Sequence, residues 1–295
     1  MLARARAFFS QRGLLEVDCC ALQSCAPIDS NIDVMEVSIT TQTTAFLHTS
    51  PEYAMKQLLA AGSGDIFYLG HVYRQGEIGR LHSPEFTMAE WYRIGIRFEE
   101  MIAETCGFIQ LFLGDLPVRI LSYRAAFEAY AGIDYTAANL VDVARALQPT
   151  LACQTWSQDA LRHFILTHAI EPKLGNGELT VLCDYPPSEA ALACVVQKNG
   201  ESVAERFEIY SQGVELANGY HELNDPQELR RRFIEENASR RAASKTSYDL
   251  DEAFLAALGP KFPDCCGVSV GFDRLMLLRH GCGSLNEVLV STSIN

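Results

Sequence analysis

The spacing of apolar residues along this chain predicts a mixture of helices and strands. Apolar residues recur at helical spacing in 98–113, which predicts a helix with one face toward a core. Residues 66–74 and 86–93 each divide into two faces with a period of two residues, which predicts two strands. The polar loop 75–84 joins these strands, and such a loop is a place where a site is expected.

Start and stop signals place the other elements. Asp225 followed by Pro226 is typical of a helix start, and Gly281 is typical of a helix end. A polar stretch covers 23–44, and 119–176 is predicted to be a helical insertion. The remaining predicted helices are 2–12, 51–59 and 273–280, and the remaining predicted strands are 14–17, 179–184, 190–197, 206–209, 214–222 and 267–272.

The order of these elements predicts the fold class. Many strands follow one another, flanked by helices without strict strand–helix–strand alternation, which favours an α+β fold around a mostly antiparallel sheet. Neither G-x-x-x-x-G-K-[ST] nor G-x-G-x-x-G occurs in the chain. The P-loop and dinucleotide-binding folds therefore lose their main support.

Composition and charge narrow the class of protein. Of the 295 residues, 48% are hydrophobic and 21% charged, which excludes a disordered chain. No apolar run approaches the roughly 18 residues of a membrane helix, so a soluble protein is predicted. The net charge of -13 disfavours a large nucleic-acid footprint and favours a basic protein or a cationic small molecule as partner. Ten cysteines without a C-x-x-C pair predict reduced thiols in the cytoplasm.

Several charged residues stand at positions that suit phosphate and metal chemistry. Glu90 shares the sheltered side of its predicted strand, where a carboxylate needs a cation or donors. Arg74 ends the neighbouring strand, where a guanidinium can grip a phosphate, and Arg274 opens a helix, which favours an anion nearby. Glu208 and Glu215 can share a divalent cation bound to phosphates.

The last predicted strand contains a conflict of parity. Glu215 does not alternate in step with Asn218, Tyr220 and Glu222. A bulge around 216–219 is therefore predicted if all four side chains are to converge.

Taken singly, each of these residues has an ordinary structural explanation. A sheltered carboxylate such as Glu90 is commonly part of an ion pair, and strand aromatics are commonly core residues. His82 alone is more often a loop histidine than a base. The arginines of 230–241 fit a solvated helix face. The functional argument therefore rests on the order and spacing of the whole set.

That order and spacing resemble a known family. Residues 74–92 resemble motif 2 of the class II aminoacyl-tRNA synthetases, in the H-x-P-E-F-T-x-x-E-x-Y form of the lysyl-tRNA synthetases. Residues 267–275 resemble motif 3, and 13–17 resemble the end of motif 1. The segments 50–52 and 215–225 are similar to the amino-acid and metal segments of those enzymes.

The resemblance is strongest to the freestanding members of this family, the lysyl-tRNA synthetase-like ligases that modify elongation factor P. Motif 1 begins within the first 15 residues, whereas lysyl-tRNA synthetases carry an anticodon-binding barrel before it. The resemblance implies one class II catalytic domain over 1–295 without an anticodon-binding domain, with a mostly antiparallel sheet flanked by helices. It also implies a homodimer formed through motif 1, with ATP and Mg²⁺ as cofactors.

The resemblance also implies a role for each matching residue. Arg74 and Arg274 would be the catalytic residues, on the α-phosphate and on the far phosphates respectively, and Phe86 would stack on adenine. His82 and Ser83 would hold the nucleotide. Further ATP contacts are implied for Gln75, Gly76, Glu77, Glu215, Leu216 and Gly271. The implied Mg²⁺ ligands are Glu208 and Glu215. The implied contacts to the amino acid are Ser50, Pro51, Glu52, Glu90, Tyr92, Asn218, Tyr220, Glu222 and Ser269.

The chain departs from the family pattern in a few places. Cys20 replaces the proline of motif 1, and Ser83 stands where asparagine is usual. The acidic residue expected two places after the motif 2 arginine is Gly76 here, with Glu77 one place later. Ser269 replaces a glycine of lysyl-tRNA synthetase motif 3, and its side chain would narrow the pocket floor in favour of β-lysine.

Three hypotheses of function follow. The favoured one is ATP-dependent activation of lysine or (R)-β-lysine and its transfer to a lysine of elongation factor P, without tRNA and without a membrane. A lysyl-tRNA synthetase core acting on tRNA is the second, against which the net charge of -13 argues. The third is a non-catalytic paralogue that senses an amino acid. Such proteins generally lose phosphate or metal residues, which are all present here.

Overall fold

A computed structural model of the chain describes residues 1–290, so that 291–295 of the predicted domain 1–295 lie outside the described residues. The chain divides into two compact units. The first unit comprises residues 1–97 together with those from 222 onward, and the second comprises residues 98–221. No helix of the described residues is long and apolar enough to cross a membrane.

The elements are numbered in chain order. The strands are β1 (Leu15–Glu16), β2 (Leu22–Gln23), β3 (Glu36–Ser38), β4 (Thr44–Leu47), β5 (Ile66–Tyr73), β6 (Glu85–Ile94), β7 (Val118–Ser122), β8 (Leu179–Tyr185), β9 (Val195–Lys198), β10 (Glu201–Ser211), β11 (Val214–His221) and β12 (Cys265–Gly271). The α-helices are α1 (Leu2–Ser10), α2 (Glu52–Ala60), α3 (Phe98–Leu113), α4 (Tyr123–Ala126), α5 (Leu140–Leu147), α6 (Gln158–Ile165), α7 (Pro226–Ala242), α8 (Glu252–Ala257) and α9 (Phe272–His280). Short π-helices follow α4 (Phe127–Ala131) and α6 (Leu166–Ile170), and 3₁₀ turns lie at Glu171–Lys173, Pro187–Glu189 and Leu285–Glu287.

The first unit is built on the antiparallel pair of β5 and β6. Ile66 lies opposite Tyr92 in this pair, and Tyr68 lies opposite Glu90. β12 pairs antiparallel with the other edge of β6, and β1 pairs parallel with the other edge of β5. A separate small sheet has the order β2-β4-β3 and is antiparallel throughout.

Aromatic side chains pack the helices of the first unit. Phe9 of α1 stacks on Phe67 with ring centroids 4.5 Å apart and lies 5.1 Å from Trp91, so that α1 is fixed against β5 and β6. Tyr53 of α2 stacks on Phe254 of α8 with centroids 3.9 Å apart. Burying a large apolar side chain contributes about 1.5–3 kcal/mol, which makes these stacks a main stabilising feature of the unit.

The second unit is built on β10. This strand pairs antiparallel with β8 along one edge and with β11 and β9 along the other, and β7 pairs parallel with β8. The helical segments between β7 and β8 bury a cluster that includes Tyr123, Phe127, Leu161 and Ile165. This helical segment thus has its own packed core.

The structure confirms the elements that had local sequence signals. α3 has the predicted bounds, and its buried residues include Met101, Ile102 and Ile109. The Asp225 carboxylate accepts hydrogen bonds from the first backbone N–H groups of α7. Gly281 ends α9 in the left-handed conformation, with φ at 66°. The predicted α+β class is also confirmed.

Elements without such signals were predicted less well. The predicted strand 190–197 is wrong in its first half, because Ala191 has a left-handed φ of 48° and the strand begins only at Val195. β7 precedes the helices of the predicted insertion 119–176 and was not foreseen. The polar stretch 23–44 contains β3. Helix α1 ends at Ser10, two residues before the predicted end.

Candidate active site

Three carboxylates and a tyrosine lie together in the first unit, and we call Glu52, Glu90, Tyr92 and Glu222 the acidic cup. Glu90 and Tyr92 are two residues apart on β6 and therefore point to the same face of the sheet. Glu52 begins α2, and the backbone N–H of Glu222 donates to the Cys265 carbonyl at the start of β12. These are four of the residues predicted to contact the amino acid.

Glu90 is held at the base of the acidic cup by two hydroxyl groups. Its Oε2 accepts a hydrogen bond from Ser50 Oγ at 2.7 Å, and its Oε1 accepts one from the Tyr92 hydroxyl at 2.9 Å. Burial, and then the nearby Glu52 carboxylate, raise the pKa of Glu90 to about 8. Ser50 also accepts the Glu52 backbone N–H at 3.0 Å, so it links the helix start to the strand. Near neutral pH the Glu90 carboxyl is therefore mainly protonated.

This protonation predicts that amino-acid binding releases a proton. An ammonium group bound beside Glu90 stabilises the ionised carboxylate, so the pKa of Glu90 falls from about 8 in the complex. Affinity for a lysine-type amino acid should therefore rise several-fold between about pH 7 and about pH 8.5. Calorimetry in buffers of different ionisation enthalpy measures the released proton directly. The Glu90→Gln variant should release none, and an equal release by both proteins would contradict the assignment.

A lysine that the sequence analysis did not single out lies behind the acidic cup. Lys56 Nζ is 2.6 Å from Glu52 Oε1 and 2.6 Å from Glu222 Oε2. The available signal was its position four residues after Glu52 on the predicted helix, a spacing that brings the two side chains together. The approach of Glu222 depends on the tertiary fold and has no local signal.

A second missed residue is Gly267 on β12, which lies directly opposite Tyr92. A Cβ atom at this position would overlap with Glu222 Oε1 and with the ring of Tyr92. Only glycine therefore lets Tyr92 and Glu222 approach each other. Ser269, two residues further on, lies opposite Glu90 on the same face, which is the position predicted for the pocket floor.

Both predicted phosphate-binding arginines lie near His82 in the loop between β5 and β6. Arg274 Nη2 lies 2.8 Å from His82 Nε2, and because arginine can only donate, this ring nitrogen accepts. Burial, and then the charges of Arg274 and Arg74, lower the pKa of His82, so the ring is neutral. Arg274 Nε also donates to the Leu81 carbonyl at 3.0 Å. The loop thereby fixes Arg274 before any ligand binds.

Arg74 is fixed by its own neighbours. Its guanidinium lies 5.1 Å from the centroid of the Phe86 ring, within the range of a cation–π contact, and 3.6 Å from the Glu77 carboxylate. Gly76 between them has a φ of 77°, a left-handed conformation that glycine adopts without strain. Glycine at 76 thus makes the turn, and Glu77 supplies the acidic neighbour one place later than in the family pattern.

Two more predicted nucleotide contacts, Gln75 and Ser83, lie in the loop between β5 and β6, and another, Gly271, is the last residue of β12. Gln75 N–H donates to the Asp33 carbonyl at 2.8 Å, and Ser83 lies in the loop beside His82. The atoms nearest to a Cβ at Gly271 would belong to the Arg274 side chain, at an ordinary contact distance of 3.6 Å. A need for glycine there would thus come from a ligand rather than from the protein. Pro51 is buried as the cap residue of α2.

The predicted bulge is present in the second unit. Ile209 of β10 pairs with Ala217 and Tyr210 pairs with Glu215, which leaves Leu216 as an extra residue in β11. Residues directly opposite in a ladder point to the same face. The extra residue therefore brings Glu215 to the face shared by Glu208 and the remaining members of the set, Asn218 and Tyr220, which lie opposite Glu208 and Arg206.

Glu208 is buried within this face and ionised. Arg206 Nη2 lies 2.5 Å from Glu208 Oε1, and the Tyr210 hydroxyl donates to Oε2 at 2.5 Å. Burial opposes ionisation, but the Arg206 charge and the hydroxyl hydrogen bonds outweigh it and lower the pKa of Glu208. Protein-bound Mg²⁺ typically uses one or two carboxylates together with substrate phosphates. Glu208 and Glu215 therefore fit the ion in type and number.

No group of three or more histidine, cysteine, aspartate or glutamate side chains within residues 1–290 is arranged to hold a metal ion. All ten cysteines fall in the described part of the chain, and all are free thiols, as predicted.

Comparison with known proteins gives one family for the whole chain. A family model described as class II tRNA synthetases (D, K and N) matches residues 1–291. A Haemophilus influenzae protein named elongation factor P–(R)-β-lysine ligase is 39% identical over 304 aligned residues, which cover 98% of this chain and 91% of the relative.

Relatives from other bacteria carry the same name. The Pasteurella multocida protein is 38% identical, with 98% of this chain and 91% of the relative covered. The Salmonella gallinarum protein is 36% identical, with 99% and 92% covered. The similarity therefore extends over nearly the full length of this chain and of each relative.

Proposed function

We propose a function for this chain from the premise that it belongs to the class II tRNA synthetase family and, within it, to the elongation factor P–(R)-β-lysine ligases. The chain is accordingly an ATP-dependent amino-acid ligase. It activates (R)-β-lysine as an adenylate and transfers it to a lysine side chain of elongation factor P. The observation that carries this proposal is the acidic cup, whose three carboxylates suit a substrate with two ammonium groups.

The first step forms the adenylate. A carboxylate oxygen of the amino acid attacks the α-phosphorus of ATP, a new carbon–oxygen–phosphorus link forms, and the bond to pyrophosphate breaks. No side chain becomes covalently bound, so positioning and neutralisation of charge supply the catalysis. Arg74 stabilises the α-phosphate, and Arg274 holds the far phosphates. Glu208 and Glu215 would hold Mg²⁺, which would neutralise phosphate charge.

The nucleotide is oriented by the loop between β5 and β6. Phe86 stacks on adenine while its ring also supports Arg74. Neutral His82 accepts from Arg274 through Nε2, so its Nδ1 carries the proton and can donate to a phosphate oxygen. Ser83 adds a hydroxyl group beside it. Further contacts come from residues around this loop and from β11 and β12, namely Gln75, Gly76, Glu77, Leu216 and Gly271.

The acidic cup orients the amino acid. Glu90, Tyr92 and Glu222 receive one ammonium group, and Ser50, Pro51 and Glu52 shape the other end. Asn218 and Tyr220 contact the remainder of the substrate. Ser269, opposite Glu90, adds a side chain to the floor and favours the β-amino acid over the α-amino acid.

The second step transfers the amino acid to protein. The uncharged amine of an acceptor lysine attacks the carbonyl carbon of the adenylate, the nitrogen loses a proton to solvent as the amide bond forms, and AMP leaves with the electrons of the broken carbon–oxygen bond. The net charge of -13 favours a basic acceptor surface. We also propose a homodimer formed through the motif 1 segment, and a cytoplasmic location in keeping with the ten free thiols.

Intact-mass measurement of the acceptor tests the proposal. Purified elongation factor P incubated with the chain, ATP, Mg²⁺ and (R)-β-lysine should gain the mass of one β-lysyl residue. The reaction should need ATP and should be slower with α-lysine and with ornithine. Stable charging of tRNA with unmodified elongation factor P would support the synthetase hypothesis instead. ATP binding without amino-acid-dependent pyrophosphate exchange would support the sensing paralogue.

A further inference from the structure

Lys56 contacts two carboxylates of the acidic cup, and the proposed mechanism gives it no task. It lies on α2, and none of its side-chain surface is accessible. Burial disfavours its charged form, but the carboxylates of Glu222 and Glu52 outweigh burial and raise the pKa of Lys56. The side chain is therefore a permanent buried cation. A held ammonium of this kind has no lone pair for nucleophilic chemistry, so its role lies in its charge and position.

The two carboxylates that meet Lys56 are not buried alike. Glu52 keeps 19% of its side-chain surface exposed, whereas Glu222 keeps 1%. Lys56 thus approaches Glu52 from the protein side and leaves its open side available to a ligand. Glu222 presents Oε2 to Lys56, while its Oε1 lies over Gly267 beside the Tyr92 ring. The ammonium therefore holds each carboxylate by one oxygen.

We propose that Lys56 is a positioning residue for amino-acid binding: its buried ammonium keeps Glu52 and Glu222 together as an ionised pair and sets the charge of the acidic cup to match a substrate with two ammonium groups. The inference rests on the proposed function. Once a bound ammonium group has displaced the proton of Glu90, the three carboxylates and the one positive charge of Lys56 leave two negative charges. The two ammonium groups of a dibasic amino acid neutralise this remainder, while its carboxylate faces the nucleotide.

The charged and titratable groups around Lys56 determine what its removal does. Glu52 faces it from its own helix, and Glu222 faces it from the segment before α7. The Lys56 charge acts to lower the pKa of Cys265 and of Tyr53, and the carboxylates of Glu52 and Glu222 act to raise the pKa of Glu90. No second cation is among these groups. Without Lys56 the two carboxylates repel each other in a buried setting, which opposes the ionised form of the pair.

The test compares neutral and charged replacements of Lys56. Lys56→Gln keeps donors for both carboxylates and removes the charge, and Lys56→Met removes both. Calorimetric binding of (R)-β-lysine and its KM in pyrophosphate exchange are measured from about pH 6.5 to about pH 9. We expect Kd and KM at neutral pH to rise by about tenfold or more in Lys56→Gln, with the ratio to wild type shrinking as pH rises. The KM for ATP and the kcat should change by less than about threefold.

The conservative and control variants separate charge from packing. Lys56→Arg keeps the charge and should restore the wild-type pH profile. Lys198→Gln removes another ion-paired lysine, which lies 2.8 Å from Asp184 in the second unit. This variant should leave the pH dependence of both Kd and KM unchanged. If Lys56→Met does not fold, Lys56→Gln decides the question, because its amide satisfies the buried oxygens.

The results separate the positioning role of Lys56 from the proposed function. A folded Lys56→Gln variant whose ratio to wild type is the same at every pH, or whose Kd is unchanged, would overturn the positioning role. A shifted pH profile in Lys56→Arg would overturn it as well. Binding of (R)-β-lysine by wild type without pyrophosphate exchange would reject the proposed function. The role of Lys56 could then still be tested by comparing the Kd values of the variants with that of wild type. Absence of binding by wild type would reject both.

Discussion

Replacing Arg74 with alanine is expected to lower the kcat of amino-acid-dependent pyrophosphate exchange by about a thousandfold. The guanidinium is held in place by the Phe86 ring and by the Thr49 carbonyl, to which Nε donates at 3.4 Å. A cation fixed at the α-phosphate stabilises the negative charge that develops as the substrate carboxylate attacks. That charge is absent in the ground state, so the loss falls on kcat more than on the KM for ATP.

The same loop offers a matched control for this variant. Arg80 is exposed, and its Nη1 donates to the Gly283 carbonyl at 3.4 Å. Arg80→Ala removes the same side chain from the same loop and should change kcat by less than about threefold. Arg74→Lys keeps the charge but loses the planar fork, so it should recover only part of the rate. An Arg74→Ala enzyme that keeps more than about a tenth of the wild-type kcat would contradict the assignment.

Substituting Gly267 by alanine is expected to raise the KM for (R)-β-lysine by roughly a hundredfold. The new methyl group overlaps with Glu222 Oε1 and with the Tyr92 ring, so the two side chains must move apart. Both belong to the acidic cup, and its shape is therefore lost. We also expect unfolding free energy to fall by about 1–3 kcal/mol, because added volume in a packed interior forces neighbours to shift.

Two measurements distinguish a local change in the shape of the acidic cup from a general loss of structure. ATP binding by the Gly267→Ala variant should stay within about threefold of wild type, because the atoms nearest to the new methyl group belong to Glu222 and Tyr92, not to the nucleotide-binding arginines. Gly107→Ala is the matched control, since a Cβ at this helical position meets nothing within 4 Å. It should stabilise the protein by about 0.5–1 kcal/mol and leave KM unchanged. A normal KM for the amino acid in Gly267→Ala would refute this reading of the close contact.

Much of the fold was predictable because its signals are local. The bounds of α3 follow from a stripe of apolar residues, and the start of α7 follows from a capping aspartate before a proline. Strands without alternation were harder to predict. Neither the polar stretch that contains β3 nor the edge strand β7 has a period that sets it apart from a loop. Pairing with a neighbouring strand makes these segments extended, and the neighbour cannot be seen in the segment itself.

The acidic cup was predictable in part for the same reason. Glu90 and Tyr92 could be placed together because two residues on one strand share a face. The need for a bulge near Leu216 could be deduced from parity, and it is present. The contact of Lys56 with Glu222 and the close approach at Gly267 join segments far apart in the chain. Such contacts arise only from the folded packing, and residue types alone do not indicate them.

The extra residue at Leu216 has a consequence for the evolution of this chain. Glu215 shares a face with Glu208 only because β11 is one residue longer than its partner ladder requires. A deletion of one codon in this stretch would turn Glu215 to the opposite side while every acidic residue remained in the gene. A lineage could lose the carboxylate pair in this way without a single substitution, and an inventory of residue types would not detect the loss.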